Sequence, residues 1–350
     1  MAYTSINDPT SFFNTVLYTG NGSTNNITGV GFQPDWVWLK IRSQAYSHRV
    51  FDSVRGANKR LYPDTTEAED SPTAALTSFD SDGFTLGSDT GQNQNTDTFV
   101  SWNWKAGTSF TNDASATSVG SIDSAGSVNE TAGFSICTYT GVSSAGTIKH
   151  GLSTVPSMII WKNRSASNGW IVYHHKNTSA PETDYLELHA NNATVDLNTI
   201  MNDTAPTSSV FSIGTEGAVG GSNTNNFVAY VFSERKGYSK FGSYTGNGNA
   251  DGPFVYTGFK PAFIMYKNTA RAISWLIHDN KRLGYNPDND EQHPDTNAAD
   301  GSDDRVDILS NGFKIRESSN LMNVSGEQVI YMAFAESPFV NSNGVPNNAR

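Results

Sequence analysis

Tyr244-Thr245-Gly246, followed after a loop by Pro261 and the apolar run Phe263-Ile264-Met265-Tyr266-Lys267, is one of three copies of a single pattern. The others are Tyr18-Thr19-Gly20, Pro34 and Trp36-Val37-Trp38-Leu39-Lys40, and Tyr139-Thr140-Gly141, Pro156 and Met158-Ile159-Ile160-Trp161-Lys162. From tyrosine to proline the copies measure 16, 17 and 17 residues, and from proline to lysine six in each. A triplet alone arises by chance in a chain rich in Thr and Gly. A triplet, a proline and an apolar run in fixed register do not, so the chain reads as three tandem repeats.

The register continues beyond the lysines. Eight residues on, His48, Trp170 and Trp275 open the runs His48-Arg49-Val50-Phe51-Asp52, Trp170-Ile171-Val172-Tyr173-His174 and Trp275-Leu276-Ile277-His278-Asp279. Each repeat closes on a run with period-two alternation: Val100, Trp102 and Trp104; Val228, Tyr230 and Phe232; Ile330, Met332 and Phe334. Aromatic and β-branched residues at this spacing suit a pleated surface buried on at least one side. No stretch of 12 or more residues carries a sustained helical stripe. The expected fold is all-β, a tandem array of three β-sandwich repeats of jelly-roll or lectin-like type. A propeller competes, but its blades are about half this repeat length.

Residues 1–16 read as an N-terminal arm, 17–107 as the first repeat, and 108–132 as a Ser/Gly/Ala-rich connector. Residues 133–237 and 238–339 hold the second and third repeats, and 340–350 a tail of turn formers. The connector suits flexibility, although Val119, Ile122 and Val128 fit an added edge strand. Only Tyr238-Ser239-Lys240-Phe241-Gly242 separates the last two repeats, so those two are expected to be docked, with the first free to move.

Of 350 residues, 36% are apolar and 16% charged, and the formal net charge is −11. That balance argues against nucleic-acid binding through phosphates, which needs clustered Lys and Arg. Cys137 is the single cysteine, so neither an intrachain disulfide nor a cysteine metal site is expected; within Phe134-Ser135-Ile136-Cys137-Thr138 it reads as a small buried hydrophobe. The N-terminal residues show no secretion signal, and no apolar run approaches the length of a membrane span, so membrane insertion is not expected.

Few residues suggest chemistry. Asp89-Thr90-Gly91 matches the aspartic-protease tripeptide, but that mechanism needs two facing copies, and here it reads as a turn. His174 and His175 are adjacent; on one strand they point to opposite faces, which favours structural roles over a shared metal ion. Glu234 and Glu336 fall at matching strand ends in different repeats, with Ala106 at that place in the first, unlike a glycosidase pair across one cleft. Lys40, Lys162 and Lys267 read as strand-end lysines that protect an edge or lie over the core rim, with a ligand contact per repeat as the alternative. No cofactor or metal is expected, nor an enzyme. The acidic loop of repeat three is the most individual stretch, and Tyr285, Asp288, Asp290, His293, Asp303 and Asp304 are its candidate ligand-binding residues. A solvated loop is the alternative, and the spacing is not that of an EF-hand.

Several stretches carry a resemblance. Leu17-Tyr18-Thr19-Gly20-Asn21-Gly22-Ser23, Phe51-Asp52-Ser53-Val54-Arg55-Gly56, Ser81-Asp82-Gly83-Phe84-Thr85-Leu86-Gly87-Ser88 and Trp102-Asn103-Trp104-Lys105-Ala106-Gly107 are among them. With Phe241-Gly242-Ser243-Tyr244-Thr245-Gly246 and Tyr331-Met332-Ala333-Phe334-Ala335-Glu336, the chain resembles multi-repeat virion proteins of tailed bacteriophages, especially marine ones, including tail-fibre-like proteins. The resemblance implies a protein made in the host cytoplasm and exposed on the particle, built as a homo-oligomer (a trimer among the options) and touching other virion proteins. The function expected is non-enzymatic: a tail-fibre or receptor-binding component that contacts host surface glycans through repeat loops. Capsid decoration is the alternative, and a polysaccharide depolymerase a minor one.

Overall fold

The tripled apolar runs become inner strands of three antiparallel sheets, two of four strands and the middle one of eight. The computed structural model describes residues 3–282, 286, 289–318 and 321–347. The first segment holds β1 (Phe13–Thr19), β2 (Asn25–Ile27), β3 (Trp36–Ile41), β4 (Arg49–Asp52), β5 (Leu76–Asp80), β6 (Gly83–Leu86) and β7 (Thr98–Trp104). Then come β8 (Thr108–Asn112) and β9 (Ser124–Asn129). The second segment holds β10 (Phe134–Thr140), β11 (Gly146–Lys149), β12 (Met158–Asn163), β13 (Trp170–His174), β14 (Asp184–Glu187), β15 (Val195–Asp196), β16 (Val210–Ile213) and β17 (Asn226–Phe232). The third holds β18 (Ser239–Thr245), β19 (Phe254–Tyr256), β20 (Phe259–Asn268), β21 (Leu276–Asp279), β22 (Val306–Leu309), β23 (Gly312–Ile315) and β24 (Gln328–Pro338). The α-helices among the described residues are single turns, Thr90–Asn93 and Ala114–Thr117. The fold is all-β, as expected.

One strand order recurs: β1-β7-β3-β4, β10-β17-β12-β13 and β18-β24-β20-β21. Each sheet carries a smaller partner, β2-β6-β5, β11-β16 or β19-β23-β22, with an apolar layer between the two. We call the three sandwich-like segments units one, two and three.

The opposite faces of the three large sheets share a single core. Trp36, Trp38, Trp102 and Trp104 from unit one meet Phe134, Trp170, Tyr230 and Phe232 from unit two and Phe241, Phe263, Trp275 and Phe334 from unit three. Trp36 stacks on Tyr230 at 4.6 Å between ring centroids, and Trp104 lies 5.6 Å from Phe334. Both faces of β3, β12 and β20 are therefore buried, which is why their sequences are apolar at consecutive positions rather than alternating.

The units also close on one another in a ring. The backbone N–H of Glu69 in unit one donates to Arg164 O in unit two, that of Thr194 in unit two to Thr269 O in unit three, and that of Asp300 in unit three to Arg42 O in unit one, each at 2.9 Å. The residues opening the fourth strand of each large sheet make a second cycle. Trp170 Nε1 donates to Tyr62 O at 2.7 Å, Trp275 Nε1 to Glu187 O at 2.8 Å, and His48 Nε2 bonds His293 O at 3.1 Å. Histidine replaces tryptophan in unit one because Trp38 Nε1 donates to its Nδ1 at 2.9 Å, leaving Nε2–H to take the indole's role. Burial holds this imidazole well below its ordinary pKa, in keeping with a neutral ring.

These contacts correct one expectation and decide another. Unit one is not free to move, because it shares the core and both cycles. Of the two readings of the connector, the added edge strand is the one found: β9 pairs with β10 and β8 with β9, extending the unit-two sheet at its edge.

The Tyr-Thr-Gly triplet has a structural explanation. Tyr18, Tyr139 and Tyr244 donate their hydroxyls to Gln92 O, Val219 O and Met322 O at 2.7, 2.7 and 2.8 Å, tying the first large-sheet strand to the loop before the last. A Cβ on the following glycine would fall 2.0 Å from Gln94 O, 2.2 Å from Asn223 O or 2.2 Å from Val324 O, so no other residue fits.

Candidate functional site

Most residues that the sequence singles out are consumed by structure. Asp89 caps the turn Thr90–Asn93, accepting from Gly91 N at 2.9 Å, and pairs with Arg60. His174 is buried with Nε2 3.1 Å from Tyr331 O, and His175 Nε2 lies 2.8 Å from Phe241 O. Glu234 pairs with Lys240 and Glu336 with Lys260, each at 2.9 Å. Burial pushes the Cys137 thiol up to about 12, as for a small core residue.

The three lysines differ from the sequence reading. Lys40, Lys162 and Lys267 are buried rather than lying over a rim. Each donates to two carbonyls: Ile41 O and Gln44 O, Thr66 O and Asn168 O, Asn268 O and Arg271 O. Two acceptors match the two N–H groups of a neutral amine. Burial lowers these amines to about 8, about 7 and about 8.

The acidic loop of unit three is engaged with its neighbour. Asp290 pairs with Arg42 of unit one at 2.9 Å, and Asp300 pairs with both Arg42, at 2.6 Å, and Arg282, at 3.1 Å. His293 contacts Glu291 at 3.2 Å, and Arg305 joins Glu291, Glu317 and Asp303. Burial raises the Glu291 carboxyl, but hydrogen bonds from His293 and Arg305 outweigh it and hold the group down to about 2. Asp304 accepts from Asn289 N at 3.1 Å, and Asp303 keeps 63% of its side chain exposed. Tyr285 and Asp288 lie outside the described residues. Among the described residues, no three His, Cys, Asp or Glu side chains are grouped to hold a metal ion.

A groove of about 600 Å³ opens instead at the side of unit three. It lies between the edge strands of the two sheets, β18 and β19, and unit two forms its rim through His175, Lys176 and Glu234. Val255 of β19 points into the core, so Phe254 and Tyr256 point outward, 48% and 52% exposed. Gly242 forms a window in β18: a Cβ there would meet the Tyr331 hydroxyl at 2.5 Å, so the phenol reaches the groove only because the residue is glycine. The equivalent places in units one and two are Val16 opposite Ser101 and Cys137 opposite Ala229, so this pairing belongs to unit three. Of its lining, His175 and Glu234 stood out in the sequence but as structural residues, and the alternation Phe254-Val255-Tyr256 is the sequence signal for its aromatic side.

Residues 8–338 match a family described as a domain of unknown function (DUF7483). The chain belongs to the DUF7483 family. No curated protein matches it. In this DUF7483 chain no helix among the described residues is long and apolar enough to cross a membrane.

Proposed function

We propose that this DUF7483 chain is a non-enzymatic binding protein carried on a phage particle, with its three units as tandem sandwiches of jelly-roll or lectin-like type and the groove of unit three as its binding surface. The observation that carries the reading is the groove itself, where two outward aromatic rings and a glycine-windowed phenol stand beside charged groups of unit two. The resemblance to multi-repeat virion proteins supports the particle, and several copies per particle supply avidity for weak single contacts. The carboxylates that suggested hydrolysis are each tied to a cation in separate units, which supports recognition over catalysis.

Asp290 and Asp300 of the acidic loop are paired with Arg42 of unit one, which favours the groove over that loop as the leading binding surface. A host-glycan ligand remains a second reading, favoured by Phe254 and Tyr256, whose exposed rings suit stacking on sugar faces. Labelled protein is expected to adsorb either to susceptible cells or to particles that lack it. The double variant Phe254→Ala/Tyr256→Ala is expected to lose that adsorption while unfolding at an unchanged temperature. Full adsorption by the double variant would move the surface elsewhere.

A further inference from the structure

The same side opening exists in unit two, and there the chain fills it. The β9 residues Ser124–Asn129 run antiparallel along β10, the edge strand of the large sheet. Just before them, Ser121 N and Ile122 N donate to Thr147 O at 2.8 and 3.1 Å, and Ile122 bridges Ile148 on β11, the edge strand of the small sheet. Ile122 is buried with the unit-two core. One extended segment of mostly small residues, with Ile122 as the aliphatic side chain between the two edges and Val128 in the same core, thus closes the opening and meets both edges.

Among the described residues nothing does this in unit three. Phe241 of β18 turns its backbone away from β24: its N–H reaches Glu234 Oε2 at 3.4 Å and its carbonyl takes His175 Nε2 at 2.8 Å. By the two-residue period of a strand, Ser243 turns its N–H and C=O the same way, into the groove. The register aligns Ser243 with Thr138, whose backbone faces β9 in unit two. Side chains of unit two thus occupy the edge at Phe241, and the next outward position stands open beside Phe254 and Tyr256.

We propose that the unit-three groove takes an extended polypeptide strand from a partner protein, chemically like residues 120–129 of this chain: small residues pairing with β18 at Ser243 and one aliphatic side chain seated between β18 and β19. The inference rests on the groove being the binding surface, and it names the occupant. Strand addition draws its affinity from main-chain hydrogen bonds and its selectivity from side-chain pockets, and the groove offers both.

The probe is a labelled synthetic peptide of residues 120–129, Gly-Ser-Ile-Asp-Ser-Ala-Gly-Ser-Val-Asn, titrated into the whole protein. Saturable binding is expected. Ser243→Pro removes an outward N–H without touching a bond to β24, and is expected to weaken binding by at least about tenfold. Ser243→Ala is expected to leave it within about twofold, because the contact is made by backbone. Amide exchange on the unsubstituted protein gives a readout that needs no variant: the Ser243 amide should exchange fast alone and slow with peptide. Absence of binding, or equal binding by Ser243→Pro with no protection at Ser243, overturns the inference. So does a neutral oligosaccharide that protects the groove where the peptide does not, or self-association that Ser243→Pro abolishes while the peptide is inert. The oligosaccharide result would leave the binding-surface reading standing, whereas adsorption unaffected by Phe254→Ala/Tyr256→Ala would remove that reading too.

Discussion

At the scale of single residues, the buried lysines carry the clearest consequence. Lys162 is held down to about 7 by burial, and Lys40 and Lys267 to about 8. An unfolded lysine titrates near about 10.4. Between about pH 7 and pH 9 the unfolded chain therefore binds more protons than the folded one, and these groups make stability rise with pH across that window. Below it both states carry the charge, and the full cost of burying an ammonium is felt. Lys162→Met keeps the stem and removes the titration. Urea unfolding at a series of pH values should show a shallower rise for the variant, and parallel curves would mean that the amine is charged in the fold. The lysines were legible as a recurring position, but not as buried. Lys162 is covered in part by Thr66 O of unit one, a partner 96 positions away in sequence, whereas the carbonyls that Lys40 and Lys267 meet lie within four residues of each.

At the scale of elements, the apolar runs located the inner strands well, because six consecutive buried positions leave a strong trace. What they could not convey is which second layer covers each face. The outer face is covered by the unit's own small sheet and the inner face by the other two units, and both demand the same residue types. This decides what Trp104→Ala should do. The ring lies against Phe13 of its own unit and against Phe263 and Phe334 of unit three, so its loss opens a cavity in the common core rather than in unit one. A cost of about 3–5 kcal/mol is expected. Calorimetry should show one transition shifted down, not one unit melting ahead of the others. The connector makes a second test of the same kind. Paired as β8 and β9, residues 108–129 should resist limited proteolysis under native conditions, and rapid cleavage within β9 would contradict the pairing. Its strands were only weakly visible, since Ser124-Ala125-Gly126-Ser127 has the composition of a linker and is held by an edge supplied from β10. The partners of the candidate loop were hidden for a related reason. Clustered acids look like a ligand site, whereas Arg42, which neutralises Asp290 and Asp300, lies some 250 positions away, too remote for any local motif.

At the scale of the molecule, three units arranged in a cycle make the order of the chain incidental. Loops of each unit bond the next, unit three returns to unit one, and all three share an aromatic core. The first and last described segments lie together as well: Asn7 Nδ2 donates to Ser342 Oγ at 2.8 Å, and Ser342 N donates to Asn7 Oδ1 at 2.8 Å. Joining the ends by a short Gly/Ser linker and opening the chain elsewhere should therefore preserve every contact that holds the ring. The loop Val142-Ser143-Ser144-Ala145 between β10 and β11 is exposed and suits the new ends. A permutant that begins at Ser144 and ends at Ser143 is expected to fold to the same all-β spectrum and to unfold in a single transition within a few degrees of the parent. Its counterpart, unit two alone, would expose Phe134, Tyr230 and Phe232 where the common core should be, and is expected to aggregate or remain unfolded. A unit two that folds independently, or a permutant that melts in separate steps, would show that the units are joined domains and that the ring adds little to their stability.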